Sequence, residues 1–117
     1  MAKFAIVAQP QKTDMGRAVH SLLYARQLKD GGHDVQVYYD GEGTTWIPRF
    51  EDPAFKYHDL YRGVLDSGLI AGACEYCATA FGAKAAIETS QVPLVSDYDG
   101  HPDLAKMVAD GRTIITV

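Results

Sequence analysis

Apolar positions along this chain alternate between two rhythms, short runs of β-branched residues and longer segments with helical spacing. Lys3 to Ala8 is an apolar run closed by Gln9-Pro10 and predicts a strand. Thr13 or Asp14 stands where a cap belongs. Met15, Ala18, Val19, Leu22, Ala25 and Leu28 then recur at helical spacing until Gly31-Gly32 stops the pattern. Asp34 to Tyr39 alternates as a second strand, and Asp40-Gly41-Glu42-Gly43 reads as a turn. Thr44 to Ala54, with Pro48 and Pro53 inside it, is the least regular stretch. A helix is expected over Tyr57 to Asp66.

Leu69 to Ala73 predicts a third strand, with the start of a helix from Tyr76 through Ala80. Gly82 breaks that helix from an Ala83 to Thr89 segment. Val92 to Val95 is a short fourth strand, and Asp97 to Gly100 is a loop. Pro102 suits the start of a helix over Asp103 to Ala109, Gly111 ends it, and Thr113 to Val117 is a last strand. No repeat, linker or low-complexity segment interrupts the series, so residues 1–117 are expected to form a single domain.

Strands alternating with helices imply an α/β fold, a three-layer α/β/α arrangement with a parallel sheet covered on both faces. Right-handed crossovers put every strand-to-helix loop on one edge of such a sheet. That carboxyl edge gathers Gln9 to Lys12, Asp40 to Gly43, Cys74 to Cys77 and Asp97 to His101 into one candidate site.

Charge narrows the partners. Eleven basic and fifteen acidic residues give a net charge of −4, and no basic run occurs. Nucleic acid and anionic membrane surfaces are therefore not expected as partners. No apolar stretch approaches the length of a membrane span, and Met1-Ala2-Lys3 leads directly into the first strand, which leaves no room for a signal peptide. Two cysteines do not make a secreted disulfide scaffold. A cytoplasmic location is expected.

Both cysteines lie in Cys74-Glu75-Tyr76-Cys77, at the corner between the third strand and the helix after it. The first N–H groups of a helix are unpaired and its dipole is positive there, which eases ionisation of a thiol. Glu75 opposes that effect by repelling a thiolate. Residues three apart on a helical turn share a face, with α-carbons about 5 Å apart, within disulfide range. Reversible disulfide or persulfide chemistry is sterically reasonable; the alternative is two small buried hydrophobes.

Other chemistries fit less well. A thioredoxin-like chain places its C-x-x-C after an early strand and a cis-proline much later, and the Cys-Gly-Pro-Cys type of interior is absent here. A structural zinc site needs four ligands, but there is no second cysteine pair. Histidine must then supply the rest from His20, His33, His58 or His101. His101 suits that role best, since its loop shares the cysteine edge; its alternative is a turn residue beside Pro102. The loop after the first strand has no G-x-G-x-x-G and no phosphate cradle, and Glu42 repels phosphate. No metal and no cofactor are expected. Trp46, Phe50, Phe55, Tyr57 and Tyr61 crowd the irregular region, either as a lid on the domain's own core or as a subunit interface.

Gly72-Ala73-Cys74-Glu75-Tyr76-Cys77-Ala78, continuing through Phe81-Gly82, resembles the DsrE/DsrF-like family of small sulfur-relay proteins. So do Gly32-His33-Asp34-Val35, Tyr39-Asp40-Gly41-Glu42-Gly43, Tyr24-Ala25, and the segment from Val92-Pro93-Leu94 to His101-Pro102. The resemblance covers nearly the whole chain. It implies a five-stranded parallel sheet in an α/β/α sandwich, and homo-oligomers, commonly trimers or hexamers built from them. It also implies that a cysteine after the third strand carries sulfur as a persulfide between donor and acceptor proteins. Cys74 matches that position. Cys77 is an additional cysteine, and Ala80-Phe81 stand where such members tend to carry basic residues.

The expected function is thus an intracellular sulfur carrier with sulfurtransferase-like activity. Cys74 accepts sulfane sulfur as a persulfide, Cys77 resolves or stabilises it, and Lys12, Tyr76 and His101 line the mouth. The alternatives are a non-catalytic oligomeric module that binds a small ligand or protein, and a Cys74–Cys77 redox sensor.

Overall fold

The computed structural model describes residues 1–117 as an α/β protein with one five-stranded, all-parallel sheet. The strands are β1 (Lys3–Ala8), β2 (Asp34–Tyr39), β3 (Ile70–Cys74), β4 (Leu94–Val95) and β5 (Thr113–Thr116), in spatial order β4-β3-β2-β1-β5. The helices are α1 (Met15–Asp30), α2 (Trp46–Glu51), α3 (His58–Asp66), α4 (Glu75–Ala80), α5 (Lys84–Glu88) and α6 (Leu104–Ala109). A 3-10 turn, Gly41–Thr45, precedes α2.

Strand order and crossover handedness decide which face each helix covers. From β1 to β4 the chain steps in one direction across the sheet, so the intervening helices lie on one face; the step from β4 back to β5 runs the other way and sends α6 to the opposite face. The side chains agree. Ile6, Ala8, Val35, Val37 and Tyr39 join Leu22, Trp46, Phe50, Tyr61, Val64 and Ile87 in the main core. Ala5 and Val7, on the alternate positions of β1, pack on Met107 of α6. The result is the three-layer arrangement that the alternation of elements implies.

Local signals account for most boundaries. The Asp14 carboxylate accepts from the Arg17 N–H as the N-cap of α1. Gly82, with φ +74, divides α4 from α5. Two segments differ from the sequence reading. The stretch from Thr44 to Ala54 is not irregular: it holds α2, with Pro48 in the first turn, where a missing N–H forfeits no helical bond. Asp40 to Gly43 is not an isolated turn but runs into the 3-10 segment. Gly43 is required there, since a Cβ would lie 2.5 Å from the Ala8 carbonyl oxygen.

The crowded aromatics pack inward. Trp46, Phe50 and Tyr61 are fully buried, and the Phe50 ring contacts those of Tyr39, Trp46, Phe55 and Tyr61 at centroid distances of 5.3–6.3 Å. The Trp46 indole N–H donates to the Gln11 carbonyl at 3.0 Å and ties this cluster to the loop after β1. Trp46, Phe50 and Tyr61 form a lid on the domain's own core, with Phe55 and Tyr57 half-buried at its margin. No helix is long and apolar enough to cross a membrane.

Candidate functional site

The chain after β3 turns to one face of the sheet and the chain after β4 leads to the other, starting side by side at the carboxyl edge. The two cysteines and His101 meet at that edge. Cys74 ends β3, and its sulfur caps α4 by accepting the Cys77 N–H at 3.3 Å. Capping starts the helix one residue before the position that apolar spacing indicates, and it draws the two cysteines onto one turn.

His101 arrives on a tight hairpin. Tyr98 and His101 exchange both backbone hydrogen bonds at 2.8 Å, around Asp99 and Gly100 at φ +48 and +88. Two successive positive φ values define a type I′ turn, for which Asp-Gly is a favoured pair. The hairpin is fastened to the cysteine corner by the Tyr76 N–H, which donates to the Gly100 carbonyl at 2.9 Å. The Tyr76 ring lies 4.8 Å from the His101 ring, centroid to centroid, and its other side is open to solvent.

His101 Nδ1 consequently stands 3.2 Å from Cys74 Sγ, and Cys77 Sγ stands 3.5 Å from Asp40 Oδ1. Asp40 is fixed by two contacts: its backbone N–H donates to the Ala8 carbonyl at 2.9 Å, and its Oδ2 accepts from the Gln9 side-chain amide at 2.6 Å. That leaves Oδ1 toward the thiols. One donor atom from each of Asp40, Cys74, Cys77 and His101 lies within 4.8 Å of all the others.

The two thiols differ in setting. Cys74 is fully buried and Cys77 half-buried, and both are free. Burial pushes the Cys74 thiol up to about 12; the Cys77 N–H opposes that shift, whereas the neighbouring Cys77 and Asp40 reinforce it. In this arrangement the Cys74 thiol faces the imidazole Nδ1 at 3.2 Å and donates to the Gly100 carbonyl at 3.7 Å. A groove of about 210 Å³ lined by Val7, Gln9, Asp40, His101, Leu104 and Thr116 opens beside the cluster.

Among the residues expected at the mouth, His101 and Tyr76 are brought to the cysteines. The Lys12 backbone is held within its own loop: its N–H donates to the Glu42 carboxylate and its carbonyl accepts from Arg49, at 2.8 Å. Asp40 and Gln9 belong to loops expected at this edge, but nothing singled them out individually. The signal available for Asp40 was its position, a carboxylate immediately after the carboxyl end of β2.

Fold and site together define an all-parallel α/β protein with a thiol–imidazole–carboxylate cluster at its carboxyl edge. No family model matches the chain, and no solved structure matches it. The chain is similar to the uncharacterized protein MJ0733 of Methanocaldococcus jannaschii, with 32% identity over 99 residues, covering 83% of this chain and 77% of that protein. It belongs to the same family as that archaeal protein.

Proposed function

We propose that this protein is a sulfur carrier of the DsrE/DsrF-like type, in which the Cys74–Cys77 pair takes up one sulfane sulfur and holds it on Cys74 as a persulfide. The observation that carries this reading is the pairing of two free thiols on one turn, one against an imidazole and the other against a carboxylate. Homo-oligomerisation and a sulfurtransferase activity toward donor and acceptor proteins belong to the same proposal.

The burial difference supplies an order of events. Cys77 lies on the solvent side and meets the donor first. Its thiolate attacks the terminal sulfur of a donor persulfide, forming Cys77–S–S⁻ as the donor thiolate leaves. Cys74 gives its proton to His101 Nδ1 and takes the outer sulfur in a second exchange, with the Cys77 thiolate as leaving group. Discharge runs by the same chemistry toward an acceptor thiol. Without an acceptor, Cys77 attacks the inner sulfur of the Cys74 persulfide, closes a Cys74–Cys77 disulfide and releases hydrosulfide.

Full burial of Cys74 favours one rival, a non-catalytic binding module whose cysteines only pack. Treating metal-free, reduced protein with an inorganic polysulfide separates the two. A carrier gains sulfur that peptide mapping places on Cys74 in the wild type; in Cys74→Ser the sulfur stops at Cys77, and Cys77→Ser loads slowly. A packed pair gains nothing.

A further inference from the structure

We propose that Asp40, Cys74, Cys77 and His101 form a four-donor site for a thiophilic divalent cation, with Zn²⁺ as the best-matched ion. The site rests on the geometry of this cluster and holds whether or not the thiols also carry sulfur.

Tetrahedral zinc with bonds of about 2.0–2.3 Å to oxygen, nitrogen and sulfur sets neighbouring donors roughly 3.3–3.8 Å apart. One donor pair already meets that requirement, Cys77 Sγ with Asp40 Oδ1 at 3.5 Å, and Cys74 Sγ with His101 Nδ1 stands just short of it at 3.2 Å. All four donors lie within 4.8 Å of one another, so small side-chain rotations bring them around one ion. Soft thiolates with an imidazole select zinc over the oxygen-seeking magnesium and calcium.

The backbone around the donors is already fixed. Cys74 closes a strand, Cys77 occupies the first turn of α4, His101 ends a hydrogen-bonded hairpin, and Asp40 is tied through its N–H to β1. Two further contacts act on the ligands themselves. The Gln9 amide holds Asp40 Oδ2 at 2.6 Å and turns Oδ1 inward, and the Cys77 N–H donates to Cys74 Sγ, as it would to a metal-bound thiolate. Binding exchanges two thiol protons for one dication. Both protons leave to solvent, no electron moves, and two thiolates, one carboxylate and a neutral imidazole leave the loaded site with one net negative charge.

The experiment is a titration of the metal-free, reduced full-length chain with Co²⁺ and then Zn²⁺. The expected result is one equivalent of Co²⁺ with thiolate-to-cobalt charge-transfer absorption and the intense visible bands of tetrahedral cobalt, displaced by one equivalent of Zn²⁺. Cys74→Ser and Cys77→Ser should each remove at least one thiolate's share of the charge-transfer intensity. Asp40→Asn, which keeps the shape of the side chain, and His101→Gln should each weaken binding at least about tenfold, a lower bound set by the effect of losing even an outer-shell partner. Circular dichroism of each variant separates ligand loss from unfolding. Absence of stoichiometric cobalt, octahedral-type weak bands, or affinity unchanged in both Asp40→Asn and His101→Gln would overturn the proposal. Sulfur uptake is measured separately in the presence of a chelator, so failure of either idea is read independently of the other.

Discussion

Replacing Gly100 by alanine probes the hairpin that delivers His101 to Cys74. Gly100 sits at φ +88, and an added Cβ would lie 3.3 Å from the Tyr76 Cβ. The backbone term for alanine in the left-handed region is about 1–2 kcal/mol. Rotation of Tyr76 about χ1 leaves its Cβ in place, so relieving the contact shifts backbone, and a bond-angle change of about 7° adds about 1 kcal/mol. Gly82 is the matched control, with φ +74 and nothing within 4 Å of the position its Cβ would take. Gly82→Ala should therefore show the backbone term alone. In urea denaturation Gly100→Ala should lose about 2–3 kcal/mol and Gly82→Ala about 1–2. The two variants should also separate in chemistry. Displacing the hairpin removes the Gly100 and His101 cover from Cys74, so alkylation of Cys74 should accelerate in Gly100→Ala and stay at the wild-type rate in Gly82→Ala. Equal stability losses with equal Cys74 reactivity would refute the claim that this hairpin-to-helix contact holds the site.

Other consequences can be measured directly. Phe50→Ala empties the middle of the aromatic cluster and should cost about 3–5 kcal/mol in the same denaturation assay, provided the site does not collapse. Iodoacetamide labelling of the metal-free protein near neutral pH, followed by peptide mapping, should modify Cys77 well before Cys74; the reverse order would contradict the burial assigned to the two thiols. An unperturbed thiol ionises near 9 and the folded Cys74 near 12, so the unfolded chain holds fewer protons across that window. The contribution of Cys74 is full below about pH 9 and is lost as pH rises toward 12. The shifts of Tyr39 and Tyr61, both raised by burial, act in the same direction at higher pH, and Tyr39→Phe should flatten the alkaline loss of stability seen in thermal melts. If zinc and sulfur share the thiols, excess Zn²⁺ should suppress polysulfide loading and a chelator should restore it.

The fold was legible wherever one rhythm dominated a segment. Six alternating or apolar residues gave β1 and β2 their bounds, and Asp14 and Gly31 marked the ends of α1 because capping is a local interaction. The region after β2 was harder. Two prolines argued against regular structure there, yet Pro48 falls in the one part of a helix that tolerates it, and the fully buried Trp46 and Phe50 supply the tertiary packing that makes a six-residue helix worthwhile. At the site, the cysteine corner and the loops that join it followed from topology. The contact between Asp40 and Cys77 spans 37 positions and depends on how the 3-10 turn seats its glycine against Ala8. Such a contact comes from packing rather than from any local pattern. The hairpin at Asp99-Gly100 was visible as a loop, but the donation from the Tyr76 N–H that aims His101 at the sulfur was not.

The central claim is that the Cys74–Cys77 pair carries sulfur. Intact-mass analysis of the reduced, metal-free protein after exposure to polysulfide, with Cys74→Ser and Cys77→Ser alongside, tests it most directly. The account predicts a gain of one sulfur atom that reverses with reductant, maps to Cys74 in the wild type, stays on Cys77 in Cys74→Ser, and accumulates slowly in Cys77→Ser. No gain on the wild type, or a wild-type gain that peptide mapping places on Cys77 rather than Cys74, would contradict it.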